Sequence, residues 1–339
     1  MIAHQTGQPL FYAPQIKKIL EEGSFDVLHY HNPSLLGAPG LFALGRGIKL
    51  YTAHAHWLLC PTHFLWRYRR ELCTRKSCFL CTIHATRPPQ LWRWTNLLSR
   101  MIQCLDAILC PSLSCWQRHS EAWTRPQVLH LPHFAPARPV TEVDPAAPPY
   151  FLVVGRLEKP KGIQTLFPVF ATYRQAELWI AGVGGYGKDL RRMAAGNPRI
   201  KFLGQKTETE LQPLYRNAIA VIVPSLCPEA FGLVVLEGFA QETPTIARPV
   251  GGLTEIIEES GGGCLYSTQE ELIQAVSRLQ HNAEHRRELG RTGRRALLSK
   301  WTEQIHVSRY LDIIHSSQLQ RMSDPEAGSC RVGSGDARR

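Results

Sequence analysis

Two glutamates, Glu229 and Glu237, stand eight residues apart where a loop meets an apolar-periodic stretch that predicts a helix from about Gly232 to Ala240. The first backbone N–H groups of such a helix have no intrahelical partner and carry the positive end of its dipole. A glycine at position 232 lets a ligand approach that backbone closely. Phosphates would suit the helix start and hydroxyls would suit the two carboxylates, and a nucleotide-sugar carries both.

Two cations occur about 70 residues earlier, in the string Gly155-Arg-Leu-Glu-Lys-Pro-Lys-Gly162 that follows a predicted strand. Arg156 can make paired bonds to phosphate oxygens, and Lys161 supplies a point charge, so together they suit a diphosphate. Taken alone, the string is also compatible with an exposed surface loop, and the two glutamates with a helix cap and a solvated helix face.

Taken together, the strings resemble a known family. The run from Glu229 to Ala240, Glu-Ala-Phe-Gly-Leu-Val-Val-Leu-Glu-Gly-Phe-Ala, resembles the E-x7-E signature of the family 4 retaining glycosyltransferases of GT-B fold. The string at 155–162 resembles the G-R-x(4)-K-G element of the same enzymes. The resemblance covers 25–316 and is strongest over 150–260.

This resemblance implies roles for individual residues. Arg156 and Lys161 are expected to hold the diphosphate of the donor. Glu229 is expected to contact the sugar hydroxyls, and Glu237 the ribose. The remaining donor contacts are expected from the backbone of Phe231, Gly232 and Leu233.

A histidine pair follows a predicted strand in the first half of the chain, in the string Thr52-Ala-His-Ala-His-Trp57. His54 falls where the family often has a histidine that faces the transferred sugar, and we expect it to contribute to catalysis. The aspartate that usually follows that histidine is replaced by Ala55. His56 is expected to be structural, as most single histidines are.

Four cysteines form a compact group, Cys60-x12-Cys73-x4-Cys78-x2-Cys81. The Cys-x2-Cys pair with two further thiols is compatible with a structural zinc ion or an iron–sulfur cluster, and also with four free thiols. The spacing is not that of a standard zinc finger. The resemblance implies that the transfer itself requires no metal or other cofactor.

The glycine-rich string Gly182-Val-Gly-Gly-Tyr-Gly187 follows a predicted strand. It does not fit the G-x-G-x-x-G dinucleotide fingerprint, and we interpret it as a turn.

The net charge of +11 is concentrated in residues 1–125, which carry fourteen basic and six acidic residues. Between Trp57 and Trp94, arginines alternate with aromatic residues. This pattern is compatible with a surface for anionic lipid, with a groove for single-stranded nucleic acid, or with an ordinary solvated face. We expect no nucleic-acid partner, because such a module would leave the second half of the chain unexplained.

Predicted strands alternate with helices in both halves of the chain, which indicates two α/β domains with parallel sheets. We expect two Rossmann-like domains that face a cleft. The predicted divisions are an acceptor-side domain at 1–135 with a Cys-rich insertion at about 57–95, a hinge at 136–149, a nucleotide-sugar domain at 150–318 and a disordered tail at 319–339. Only 24 residues precede the first sheet strand, so we expect an incomplete, N-terminally short first domain.

The sequence therefore predicts a retaining glycosyltransferase that uses a nucleotide-diphosphate sugar and a saccharide or lipid-linked acceptor. Two alternatives stay open: a non-catalytic sugar-nucleotide binder and a nucleotide-sugar epimerase of the same fold. The ten cysteines are too few for a disulfide scaffold in 339 residues, and no apolar run is long enough to span a bilayer. We expect a cytoplasmic protein that contacts the inner face of the membrane peripherally.

Overall fold

The computed structural model describes residues 2–68 and 70–323, and the chain forms two compact units. The first unit contains the residues up to Leu131 together with those from Val307 onward. The second unit is continuous and runs from Pro132 to His306. Each unit is built on its own parallel sheet, as the alternation of strands and helices predicts.

The first unit contains a four-stranded parallel sheet in the order β1-β2-β5-β6. A separate, short antiparallel ribbon, β3–β4, lies between β2 and β5 in the sequence. The elements are α1 (Ile2–Thr6), α2 (Ala13–Gly23), β1 (Val27–His31), β2 (Ile48–Thr52), β3 (Trp66–Arg67), β4 (Glu71–Leu72), α3 (Cys78–His84), α4 (Leu97–Ile102), β5 (Ala107–Cys110), α5 (Leu113–Ala122) and β6 (Gln127–His130).

The second unit contains a six-stranded parallel sheet in the order β12-β11-β10-β7-β8-β9. Its elements are β7 (Tyr150–Val154), α6 (Phe167–Thr172), β8 (Glu177–Ala181), α7 (Gly187–Met193), β9 (Ile200–Gly204), α8 (Glu208–Asn217), β10 (Val221–Val223), α9 (Leu233–Ala240), β11 (Thr245–Ala247), α10 (Gly252–Ser260), β12 (Gly263–Leu265), α11 (Gln269–His281) and α12 (Ala283–Lys300).

The strand order of the second sheet creates a crevice. The chain starts at β7, builds outward through β8 and β9, and then returns to the other side of β7 to place β10. The loops that leave β7 and β10 therefore run to opposite faces of the sheet, and ligands bind at such switch points in open α/β sheets. The loop after β7 carries Arg156 and Lys161, and the loop after β10 carries Glu229.

Alternate residues of β7 fill the two faces of this sheet. Phe151 and Val153 pack into one hydrophobic core together with Phe170, whereas Leu152 packs into the other core with Phe239. Burial on both faces explains why β7 is continuously apolar. Such a strand holds the loop that follows it on a rigid base.

The last helix, α13 (Glu303–Ser323), begins in the second unit, and most of its length belongs to the first. Tyr310, Ile313 and Ile314 pack on the core that contains Leu50 of β2. The predicted domain end at 318 is therefore wrong, and the second unit ends at His306. The apolar period of a helix indicates that one face is buried, but it does not indicate which sheet covers that face.

The predicted tail at 319–339 needs a related correction. Residues 319–323 are helical, and within them Arg321 donates from Nε and Nη2 to the two carboxylate oxygens of Asp106 over 2.7 and 2.6 Å. Residues 324–339 lie outside the described part of the chain. The predicted hinge at 136–149 belongs to the second unit, where Thr141 N donates to Gln241 Oε1 over 2.9 Å.

Across the residues that the structure describes, the helices are all too short or too polar to cross a membrane.

Candidate functional site

Helix α9 begins at a glycine that no other residue could replace without strain. Gly232 has a φ of 140°, which side chains rarely adopt, and a Cβ there would lie 2.7 Å from Cδ2 of Leu253. The preceding loop is fixed by the start of α10, because the backbone N–H of Gly252 donates to the carbonyl oxygen of Glu229 over 2.9 Å. The sequence prediction of a helix start beside Glu229 is confirmed.

The structure brings Lys161 and Glu229 into direct contact. The Lys161 ammonium lies 2.7 and 3.0 Å from the two carboxylate oxygens of Glu229. The Ser225 hydroxyl donates a further hydrogen bond to the same carboxylate. The side chains of Lys161 and Glu229 are 25% and 17% exposed, so the ion pair is largely withdrawn from water. Lys161 of one motif and Glu229 of the other thus form an ion pair at the switch point of the sheet.

The contact depends on two loops that touch through their backbones. Gly162 has a φ of 73°, and a Cβ at this position would lie 1.9 Å from the carbonyl oxygen of Pro224. The backbone N–H of Leu226 donates to the carbonyl oxygen of Pro160 over 2.8 Å. The final glycine of the G-R-x(4)-K-G string is therefore a packing requirement that brings Lys161 close to Glu229.

Arg156 lies at the other end of the same loop and lines a cavity of about 230 Å³ at the ends of β7, β8 and β9. Its guanidinium bonds to Glu158 Oε1 over 3.0 Å, and its side chain is 65% exposed. The remaining cavity wall includes Gly182, Val183 and the second cation Lys206. Arg156 therefore presents a positive charge at the rim of this cavity.

The glycine-rich string at 182–187 forms the turn between β8 and α7. Gly182 has a φ of 139°, and a Cβ there would lie 1.9 Å from the carbonyl oxygen of Gly155. Leu157 bonds to this turn on both sides, since its N–H donates to Val183 and its carbonyl oxygen accepts from Tyr186. The turn supports the loop that carries Arg156.

Glu237 lines a second cavity of about 160 Å³, and Leu211 belongs to the walls of both cavities. The Tyr215 hydroxyl donates to Glu237 Oε2 over 2.5 Å. Burial raises the pKa of Glu237 above its ordinary value, although the bond from Tyr215 opposes that rise. The two acids of the E-x7-E string thus have different partners: Glu229 bonds to a lysine, and Glu237 to a tyrosine.

His54 lies in the first unit, just after β2, and takes part in a cluster of histidines. Its Nε2 lies 2.6 Å from His31 Nδ1, and the His31 ring lies 4.0 Å from the His29 ring. His29 in turn contacts the Tyr310 hydroxyl over 3.0 Å and the Thr52 hydroxyl over 2.7 Å. Burial, with a smaller contribution from His31, lowers the pKa of His54 to about 4, so its ring is neutral near pH 7.

The four predicted metal-ligating cysteines line one small cavity of about 10 Å³. Cys78 and Cys81 lie on α3, and the ribbon β3–β4 separates Cys60 from Cys73 in sequence. All four are free thiols. Among the described residues, no three of these sulfurs lie within 4.8 Å of one another. Zn–S bonds of about 2.3 Å would hold the sulfurs roughly 3.8 Å apart, so the loops would have to contract around zinc.

Sequence reasoning missed the direct partners of the predicted residues. These partners are Ser225 and Tyr215 for the two glutamates and His31 for His54. A signal for His31 was present, because the alternation His29-x-His31 at the end of β1 places both rings on one face beside the end of β2. Tyr215 carried no such signal, since its role depends on how α8 packs on α9.

Residues 140–296 match the family described as glycosyl transferases group 1. An uncharacterized glycosyltransferase of Methanocaldococcus jannaschii is 39% identical over 118 residues, which are 33% of this chain and 30% of that protein. The lipopolysaccharide core biosynthesis glycosyltransferase LpsE of Rhizobium meliloti is 24% identical over 222 residues, which are 62% of this chain and 64% of that protein. The matched part of the chain thus spans less than two thirds of the length of these relatives.

Solved structures resemble the chain over most of its length. Sucrose-phosphate synthase from Thermosynechococcus elongatus gives a TM-score of 0.70 at 21% identity and covers 92% of this chain and 77% of that one. HepE of Anabaena in complex with UDP-glucose gives a TM-score of 0.66 at 18% identity, with coverage of 94% and 85%. These similarities confirm the predicted α/β fold of GT-B type.

The contact between Tyr215 and Glu237 predicts a pH-dependent loss of stability for Tyr215→Phe. The pKa of Glu237 is higher in the folded state than its value of about 4.5 in the unfolded chain. Its contribution to the free energy of unfolding is therefore fully present below pH 4.5 and is lost as the pH rises through the folded-state pKa. Without the tyrosine hydroxyl this folded-state pKa rises further. We expect Tyr215→Phe to lower the free energy of unfolding by ~1–3 kcal/mol at pH 8 and by less at pH 4.5, measured by urea denaturation.

Tyr173→Phe is the matched control, because the Tyr173 hydroxyl bonds only weakly, over 3.4 Å, to an exposed Gln175. It should change stability by less than ~0.5 kcal/mol at either pH. An equal loss at pH 4.5 and pH 8 in Tyr215→Phe would contradict the assigned role of the hydroxyl.

Proposed function

We propose that this chain transfers a sugar from a nucleotide-diphosphate donor to an acceptor hydroxyl with retention at the anomeric carbon, because residues 140–296 match the group 1 glycosyl transferases. This match agrees with the resemblance to family 4 drawn from the Glu229–Glu237 and Arg156–Lys161 motifs. The donor, the acceptor and the retaining course are parts of the proposal.

The observation that carries the proposal is the ion pair between Lys161 and Glu229 at the ends of β7 and β10. A diphosphate and a sugar ring differ in what they bind: phosphate oxygens need cations and N–H donors, and sugar hydroxyls need carboxylate acceptors. One place at the switch point of the sheet holds a cation, an acid and the start of α9. HepE, whose fold is similar, has been solved with UDP-glucose, which supports a donor of this class.

In the proposed complex, Lys161 and Arg156 contact the diphosphate and Glu229 contacts the sugar hydroxyls. Glu237 contacts the ribose. The donor contacts of the helix start come from the backbone of Phe231, Gly232 and Leu233. The leaving diphosphate gains negative charge in the transition state, and these cations and the helix dipole lie where that charge develops.

We propose departure and attack on the same face of the sugar, because no side chain in the second-unit site is placed as a covalent nucleophile in the described chain. Glu229 is engaged by Lys161 and Ser225, which suits an orienting role more than nucleophilic attack. Protein cations supply the charge that a divalent metal would otherwise supply, so we propose that the transfer needs no cofactor.

His54 is the proposed acceptor-side catalytic residue of the first unit, where His31 fixes its ring. The acceptor is proposed to be a saccharide or lipid-linked saccharide of the cell envelope. The similarity to LpsE, a lipopolysaccharide core biosynthesis enzyme, supports this class.

The proposal predicts that Lys161→Met lowers kcat/KM for donor hydrolysis or transfer by ~10²–10³-fold, because it removes a cation from the leaving group. The assay uses a panel of nucleotide-diphosphate sugars that includes UDP-glucose. Lys159→Met, an exposed lysine two positions away, is the matched control and should keep activity within about twofold of the wild type.

Glu229→Gln separates the enzyme from its two alternatives. We expect it to abolish turnover while UDP still binds, measured by calorimetry. Wild-type protein that binds nucleotide-sugars without turnover would favour a non-catalytic binder, and conversion of the donor sugar to its epimer would favour an epimerase. Equal activity of Lys161→Met and Lys159→Met would exclude the assigned site.

We propose that the first unit contacts anionic lipid through a surface that combines exposed apolar and basic side chains. Phe79, Leu80 and Ile83 of α3 are 47%, 56% and 51% exposed, and Trp94, 51% exposed, packs its ring 5.7 Å from that of Phe79. Arg70, Arg75 and Lys76, which precede α3 in sequence, are exposed cations. Apolar side chains that enter the lipid boundary, flanked by cations for the phosphates, are typical of peripheral membrane surfaces.

Leu80→Ser should weaken sedimentation with vesicles that contain phosphatidylglycerol by about tenfold, since one buried leucine is worth ~1.5–3 kcal/mol. Leu298→Ser alters a leucine of the second unit with 44% exposure and should leave binding unchanged. Equal binding to vesicles of phosphatidylcholine alone, or no effect of Leu80→Ser, would refute the lipid surface.

We propose that Cys60, Cys73, Cys78 and Cys81 hold a structural zinc ion or iron–sulfur cluster, because all four line one cavity. Cys78→Ser should release the bound metal and lower Tm, whereas Cys264→Ser, in the second unit, should do neither. Metal analysis measures the content, and visible absorption of the wild type distinguishes a coloured cluster from colourless zinc. Unchanged metal content in Cys78→Ser would refute the site.

A further inference from the structure

A second group of ligand side chains, distinct from the four cysteines, lies inside the first unit. His56 follows β2, whereas Cys115 and His119 lie one turn apart on α5. One nitrogen of each histidine and the thiol sulfur of Cys115 all lie within 4.8 Å of one another. The three residues are 1%, 0% and 0% exposed, so they meet in the hydrophobic core.

The hydrogen bonds of His119 define its tautomer. Its Nδ1 lies 2.8 Å from the carbonyl oxygen of Cys115, which can only accept, so Nδ1 carries the proton. The lone pair is then on Nε2, and within the described residues this buried nitrogen has no hydrogen-bond partner. Metal-bound histidines show this arrangement, with one nitrogen donating to a carbonyl and the other bound to the metal.

Ordinary core packing explains this group poorly. A buried polar atom without a hydrogen bond costs ~1–3 kcal/mol, and the core around these residues is otherwise built from apolar side chains such as Leu58 and Ile108. The i, i+4 spacing of Cys115 and His119 places a thiol and an imidazole on the same face of α5. A metal ion would give a partner to the Nε2 lone pair of His119.

We propose that His56, Cys115 and His119 bind a zinc ion within the core of the first unit. Imidazole and thiolate together are ligands that suit zinc, which takes four of them when its role is structural. Cys110, the buried last residue of β5, hydrogen-bonds the thiol of Cys115 but lies outside the group of atoms within 4.8 Å, so its sulfur would have to move toward the ion to become the fourth ligand.

The ion would join the chain after β2 to helix α5. His54 precedes His56 by two residues, so the same ion would fix the backbone that carries His54. Because all three ligands are buried, the ion contacts no substrate, and its role is to stabilise the fold.

The test combines zinc analysis with X-ray absorption at the zinc edge on the full chain, expressed in zinc-supplemented medium. We expect the wild type to hold one more zinc per chain than His119→Leu, with a coordination shell that contains imidazole nitrogen and sulfur. Cys78→Ser, altered in the four-cysteine group, should retain this mixed shell. The control Cys264→Ser should retain the wild-type zinc content.

Equal zinc content in the wild type and His119→Leu would overturn the proposal. Where His119→Leu does not fold, Cys115→Ser and the wild-type spectrum decide: a shell of sulfur alone, or no bound zinc, also overturns it. These outcomes are independent of sugar transfer, since none of the readouts uses a donor or an acceptor.

Discussion

The candidate site depends on two loops that meet without side chains between them. The carbonyl oxygen of Pro224 occupies the space that a Cβ on Gly162 would need, so the loop after β7 lies directly on the loop after β10. The ammonium group of the preceding residue, Lys161, then reaches both carboxylate oxygens of Glu229. A larger residue at 162 would move the lysine away and separate the two motifs.

The ion pair formed in this way is organised before any ligand arrives. Both side chains are mostly shielded from water, and taking charges out of water is costly unless each is compensated. Lys161 and Glu229 compensate each other, and Ser225 adds a hydrogen bond to the carboxylate. Charges that are already fixed need little reorganisation in the transition state, which is the main source of electrostatic catalysis.

The sequence was sufficient to predict the parts of the site that follow from local pattern. The motifs that follow two predicted strands indicated the positions of Arg156, Lys161 and the start of α9. Loops that follow parallel strands lie at one edge of the sheet, so these motifs are expected near each other. The strand order of the second sheet could not be predicted, and it decides which loops are neighbours.

Other features depend on packing between distant segments, which spacing does not encode. Glu229 and Glu237 look alike in sequence, yet one lies in a loop beside Lys161 and the other on the second turn of α9 against Tyr215. The same limit explains the error at 318, because the sequence does not identify the core that receives Tyr310 and Ile313.

The path of α13 has a consequence for how the protein is made. A nascent chain emerges from the ribosome with its N-terminus first, and domains generally fold as units while synthesis continues. The core beneath Leu50 of β2 remains uncovered until Tyr310, Ile313 and Ile314 have been translated. The first unit is therefore completed only after the second unit has been translated, and until then the nascent chain carries an open apolar face.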